Sequence, residues 1–219
     1  AMHVERTQRL AAGETLSAVT DRLRRQLGIA ARILPMSDDP VRTRLETDAG
    51  WLDFQDYFVR RRCAPRVRRL AFLGADTARP LPAVMTALSS EDLRAVVICP
   101  SNPFLSIEPI LAIPAIRAAL SDCRAPVIAV SAVIGGQAVR GPTTKIMREL
   151  GLGSGAADVA RRYADLLDVF VMDEIDAATV VPAGVEVVSA PILMTSLEDR
   201  ERLAGVVLAA ADRVAARQN

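Results

Sequence analysis

The chain has 219 residues, 51% of them apolar, with 27 basic and 26 acidic side chains and a formal net charge of +1. This composition suits one large or two small folded domains, and it argues against a disordered chain. The near-neutral charge excludes nucleic-acid binding through a field of basic residues, and no apolar run is long enough to span a bilayer.

In chain order, residues 5–13 are polar and read as a lead-in. Thr15 can cap a helix whose apolar positions Leu16, Val19, Leu23 and Leu27 share one face, with Gly28 ending it. Ala31 to Leu34 reads as a short strand closed by the polar corner Pro35-Met36-Ser37-Asp38-Asp39-Pro40. Val41, Thr43, Leu45 and Thr47 alternate with Arg42, Arg44 and Glu46, a period of two. With the turn Asp48-Ala49-Gly50 and the return strand Trp51 to Phe54, this predicts an antiparallel hairpin. Gln55 to Arg62 follows as a short helix. Its run Arg60-Arg61-Arg62 is either a solvated face or an anion contact.

From residue 67 onward the pattern is regular α/β. Strands are expected at Val67–Leu73, Ala95–Cys99, Val127–Val130, Val169–Met172 and Val185–Val188, and helices at 81–89, 106–121, 141–150, 155–167 and 196–216. Most of these strands are continuous apolar runs, as when helices cover both faces of a sheet. The alternation implies right-handed crossovers and a mainly parallel, Rossmann-like sheet. The domain reading is 1–66 as helix, strand and hairpin insertion, and 67–219 as the α/β core.

Chemistry should sit where strands end. Ala95 to Cys99 stops at Pro100 and presents Ser101 and Asn102; Ser106 then offers an N-cap to a helix with Pro109 in its first turn. In an open α/β sheet such a corner is a ligand position, and a helix start suits an anion. A second corner runs from Ser131 through Gly135-Gly136 and Arg140-Gly141-Pro142 to Thr143, Thr144 and Lys145. Glycines allow close backbone approach there, and the basic side chains could neutralise phosphate. Lys145 is the single lysine, and it could equally be an ordinary surface helix residue. A third corner, Asp173-Glu174-Ile175-Asp176, offers carboxylates to magnesium, although acidic loop tips are common. No Walker A order and no G-x-G-x-x-G occurs; Gly151-Leu152-Gly153-Ser154-Gly155 reads as a link between helices. His3 is the single histidine, which argues against a His base or a His-bound metal. Cys63, Cys99 and Cys123 are widely spaced with no C-x-x-C, so neither zinc nor a disulfide framework is expected, and a cytoplasmic location fits.

These blocks resemble the CofD-type 2-phospho-L-lactate transferases. The resemblance rests on Pro100-Ser101-Asn102-Pro103-Phe104-Leu105-Ser106-Ile107, on Pro126 to Ser131 continued through Gly135-Gly136 to Pro142, on Leu34 to Thr43, and on Trp51 to Arg60, in colinear order. It implies transfer of a phospholactate or phosphoenolpyruvate-type group from a guanosine-diphosphate-linked donor to the deazaflavin Fo, with release of GMP, in coenzyme F(420) biosynthesis. Separately, the sheet edge and apolar surface that absent first strands would expose predict a stable oligomer, a homodimer; the resemblance further implies magnesium as cofactor. The residues it assigns to the nucleotide and phosphate are Ser101, Asn102, Pro103, Ser131, Gly135, Gly136, Arg140 and Lys145, and those near the second substrate are Met36, Ser37 and Asp38. The family's glycine-rich opening of GGTGG type and the aspartates after it find no counterpart here. The sequence therefore reads as shortened at its N-terminus, with no metal ligand and no catalytic base assigned within it. Ala132 stands where the family pattern has proline. Two rival readings are a nucleotide-sugar-binding regulator of the same superfamily (YvcK-like) and an inactive shortened chain.

Overall fold

The structure is a computed structural model that describes residues 2–218. In chain order its elements are α1 (Met2–Ala11), α2 (Leu16–Gln26), β1 (Arg42–Thr47), β2 (Gly50–Asp53), β3 (Val67–Leu73), α3 (Pro82–Leu88), β4 (Val96–Ile98), α4 (Glu108–Leu111), α5 (Pro114–Ser121), β5 (Val127–Val130), β6 (Val133–Ile134), β7 (Gln137–Ala138), α6 (Thr143–Glu149), α7 (Ala156–Arg161), β8 (Val169–Met172), β9 (Glu186–Ser189) and α8 (Leu197–Gln218). Short π-helical turns occupy Asp56–Arg60 and Pro103–Ile107.

The polar start is a helix and not a lead-in. α1 buries no residue. Its order comes from ion pairs, Arg9 to Glu5 at 2.9 Å and to Glu14 at 2.8 Å, which hydrophobic periodicity does not register. α2 forms as expected: the Thr15 hydroxyl accepts from Ala18 N at 3.3 Å, and Val19 is buried. Ala31–Leu34 is not a strand. It runs without a ladder partner, and a lone bridge from Ser37 to Pro80 is the nearest pairing.

The hairpin is present with a tighter, two-residue turn, since Thr47 pairs with Gly50. The Thr47 hydroxyl donates to Gly50 O at 2.8 Å and accepts from Ala49 N at 3.1 Å. β3 corrects the sequence reading: it does not join the parallel sheet but pairs antiparallel with β1, in the order β2-β1-β3. The 66/67 division therefore runs between the hairpin and its third strand. On the outer face Trp51 lies between the guanidinium groups of Arg44 and Arg69, 5.8 and 5.1 Å from the ring centroid.

The second sheet is parallel throughout, in the order β4-β5-β8-β9. β5 and β8 are buried along their whole length. Their alternate residues split between two cores, as pleating requires. Val127, Ala129, Phe170 and Met172 face the side of α4 to α7 and the hairpin sheet. Ile128, Val130, Val169 and Val171 face Leu203, Val207, Ala210 and Ala211 of α8. Both faces of this Rossmann-like sheet are thus covered, one of them by a single long helix.

The expected helix 106–121 is broken. Ile113 is extended, as the residue before a proline tends to be, and Pro114 opens α5. The axes before and after the break differ by 86°. No single helix among the described residues is long and apolar enough to cross a membrane.

Candidate functional site

The parallel strands point their C-terminal ends at one cleft of about 630 Å³. Pro100, Ser101 and Asn102 enter it after β4, and Ser131 and Ala132 after β5. Val139 and Arg140 come from the stretch between β7 and α6, Thr143 from the start of α6, Ile192 to Thr195 from the passage between β9 and α8, and Arg200 from the first turns of α8.

The Asn102 corner is built by its own side chain. Oδ1 accepts from Phe104 N at 3.0 Å and Leu105 N at 3.1 Å, so Asn102 and not Ser106 is the N-cap. Ser106 is exposed and lies inside the turn. Pro103 is buried at the first helical position, where its missing N–H is harmless. Arg162 stacks over Phe104, 4.7 Å from the ring centroid, and pairs with Glu108, which braces the turn from outside. Asn102 Nδ2 is buried and has no protein partner. A buried unpaired amide costs about 1–3 kcal/mol unless something accepts from it, so this donor marks a place for a ligand or a water. The Ser101 hydroxyl also has no partner among the described residues.

Ser131 is different. It is buried, and its hydroxyl donates to Val133 O at 2.8 Å and accepts from Val133 N at 3.1 Å. It shapes the cleft floor more than it offers a donor. Gly135 and Gly136 form the turn joining β6 and β7, with φ +55° and +73°, a conformation that glycine adopts without strain. They lie beside the cleft and not on its lining; Gly135 N donates to Asp176 at 2.9 Å.

Lys145 is turned away from the cleft. Its Nζ donates to Pro65 O at 3.0 Å, pairs with Glu149 at 2.5 Å and sits 5.9 Å from the Tyr57 ring centroid. Glu149 in turn accepts from Val67 N at 3.0 Å. Lys145 therefore clasps α6 to the hairpin sheet. In the same cluster burial pushes the Tyr57 phenol and the Cys63 thiol upward, so Cys63 is no activated nucleophile. Met36, Ser37 and Asp38 do not reach the cleft either. Ser37 Oγ donates to Arg79 O at 2.5 Å and accepts from Asp39 N at 2.9 Å, and Asp38 accepts from Ser17 N and Oγ, each at 2.7 Å. That corner caps α2 and ties it to the residues before α3. Of the arginine run, Arg60 and Arg61 flank Asp56 at 3.4 and 3.0 Å.

Sequence reasoning missed the fourth wall, 192–200. The signal was available, because this stretch follows the last parallel strand just as the other corners follow theirs. It is rigid: Asp173 accepts from Ile192 N at 3.1 Å, and Arg202 donates to Pro191 O at 2.7 Å. Asp199 accepts from Thr195 N at 2.9 Å, Thr195 Oγ1 at 2.8 Å and Ser196 N at 3.1 Å. The Thr195 amide and hydroxyl, aided by Arg202 and Ser196, hold the Asp199 carboxyl well below the usual range.

The donor set does not suit magnesium. No Asp or Glu lines the cleft, and no group of three His, Cys, Asp or Glu among the described residues could hold a metal. Asp173 and Asp176 at the neighbouring rim already accept backbone N–H groups.

Fold and cleft together define a Rossmann-like α/β protein whose strand-end rim is lined by amide, hydroxyl and guanidinium groups. The family profile described as 2-phospho-L-lactate transferase CofD matches residues 1–192. A "Phosphoenolpyruvate transferase" of Streptomyces griseus is 39% identical over 99% of this chain and 70% of its own length. Another, of Thermobifida fusca, is 42% identical over 97% and 65% respectively. A "2-phospho-L-lactate transferase" of Methanosarcina mazei is 39% identical over 96% and 69%. The chain belongs to the CofD family of transferases. Among solved structures, a UPF0052-family protein of Bacillus halodurans superposes with a TM-score of 0.60, covering 90% of this chain and 67% of the other at 13% identity. That likeness concerns the fold alone.

Proposed function

We propose that this cleft holds the guanosine-diphosphate-linked donor of a phospho-acid transfer whose acceptor is the deazaflavin Fo. The observation that carries this reading is the cleft itself, a site with an unpartnered buried amide, two guanidinium groups and no carboxylate. In the reaction an acceptor hydroxyl oxygen attacks the phosphorus that carries the acid. The phosphoanhydride bond breaks, GMP leaves with the bond's electrons, and the hydroxyl proton passes to solvent or to a base that the described residues do not identify. Such chemistry depends on positioning and charge neutralisation more than on a side-chain nucleophile.

The test is calorimetric titration with GDP, followed by an assay with Fo and a guanosine-diphosphate-linked phospho-acid. Saturable GDP binding that Ser101→Ala plus Asn102→Ala weakens at least tenfold is the expected result. Unchanged affinity in that variant overturns the site. Preference for a uridine-diphosphate sugar, with no affinity for Fo, would replace the transferase by the nucleotide-sugar-binding regulator. We also propose that the chain works as a homodimer, with light scattering as the check; a monomer at assay concentration overturns that part.

A further inference from the structure

We propose that Arg140 and Arg200 form a clamp that grips a diphosphate directly, with no protein-bound magnesium ion between them; this rests on the donor-site reading above. The two residues reach the cleft from separate walls. Arg140 stands before α6, and Arg200 stands in the first turns of α8. Neither has an ion pair or a hydrogen-bonding partner among the described residues. Arg202, two positions on, is by contrast fully engaged, with Asp199 at 3.2 Å and Pro191 O at 2.7 Å. Asp199, the carboxylate next to Arg200 in the chain, is already held by Thr195, Ser196 and Arg202.

Two cations left free over an acid-free cleft are a counter-charge for an anion. Guanidinium forks match phosphate oxygens two at a time. A magnesium ion bridging phosphates commonly takes one or two protein carboxylates, and the cleft lining contains none. Asn102, also on the lining, carries a further unpaired donor in Nδ2. Two guanidinium groups carried by separate elements also separate a diphosphate from a monophosphate. The donor engages both walls, whereas GMP has one phosphate to share between them and is released more readily.

The experiment is calorimetric titration of the whole chain with GDP, GMP and inorganic pyrophosphate, each in magnesium and again in EDTA. It is run on the wild type, Arg200→Ala, Arg200→Gln and Arg140→Ala. Both arginines are exposed and without internal partners, so the variants should melt at the wild-type temperature. GDP and pyrophosphate should bind in EDTA, and each variant should lose about tenfold to a hundredfold for both, the range for hydrogen bonds to charged groups. GMP should bind more weakly than GDP. If GDP binding requires magnesium, or ignores Arg200, the clamp is wrong and the donor site stands. If pyrophosphate binds in EDTA and depends on Arg200 while GDP binds no better than pyrophosphate, the clamp stands and the guanosine reading falls. Binding of neither ligand in either buffer overturns both.

Discussion

Two polar corners of this molecule, Ser37-Asp38 and Ser101-Asn102, are made from nearly the same residue types. At Ser37-Asp38 the polar side-chain groups are occupied within the chain: the serine bridges Arg79 O and Asp39 N, and the aspartate caps α2 through Ser17. At Ser101-Asn102 only one group is occupied. Asn102 Oδ1 holds two backbone amides while Nδ2 is buried and unpaired, and Arg140 and Arg200 stand nearby unpaired. The difference separates architecture from site. A corner that satisfies itself braces the fold, and a corner with donors left over has something to offer a ligand.

The sharpest way to break that contrast is Asn102→Asp. The carboxylate keeps the Oδ1 cap and so keeps the turn. It replaces the unpaired donor by an acceptor and places a negative charge where phosphate is expected. GDP affinity should fall about a hundredfold, close to 3 kcal/mol, in addition to the about 1–3 kcal/mol of urea stability that a buried, unpaired carboxylate oxygen costs. A variant that binds GDP as the wild type does would remove Asn102 from the site.

A different pattern is expected at the braced corner. Ser37→Ala leaves Arg79 O and Asp39 N without their buried partner, and should cost about 1–3 kcal/mol in urea denaturation while GDP affinity holds. Lys145→Met should behave in the same way on a smaller scale. It removes the contact with Pro65 O and leaves Glu149 holding Val67 N alone, for about 1–2 kcal/mol. If Lys145→Met lowers GDP affinity tenfold without loss of stability, Lys145 is a phosphate ligand after all.

The parallel strands were legible because β5 and β8 are continuous apolar runs, and a run buried on both faces leaves little else to read. The membership of β3 was not, since a strand's partner is a nonlocal fact. One clue lay in the run itself: Arg68 and Arg69 stay exposed in it, which a strand covered on both faces could not accommodate. Ser101, Asn102, Ser131 and Arg140 line one cleft, where the strand-end rule expects them. Lys145 misled by its rarity, because being the single lysine says nothing about where an ammonium group points. The 192–200 wall escaped because it has no glycine, and its polar residues read as the start of the last helix and not as a strand-end corner. Its capping residues Ser196 and Asp199 lie between the lining residues Thr195 and Arg200.

That wall tests how clean the division between brace and site is, because it is both. Thr195 lines the cleft while its amide and hydroxyl donate to Asp199. Asp199→Asn removes the charge and weakens these bonds, so stability at neutral pH and GDP affinity should fall together, each modestly. The pH dependence has a fixed sign. Asp199 titrates below its ordinary value of 3.8 in the folded chain. Its carboxylate therefore contributes fully above that value, and the contribution is lost as pH falls through the depressed one. The stability gap between wild type and Asp199→Asn should be constant from neutral pH to about pH 5 and close toward about pH 2, as followed by urea denaturation. If stability falls on this schedule while GDP affinity stays put, the wall only bounds the cleft, and Arg200 alone connects it to the ligand.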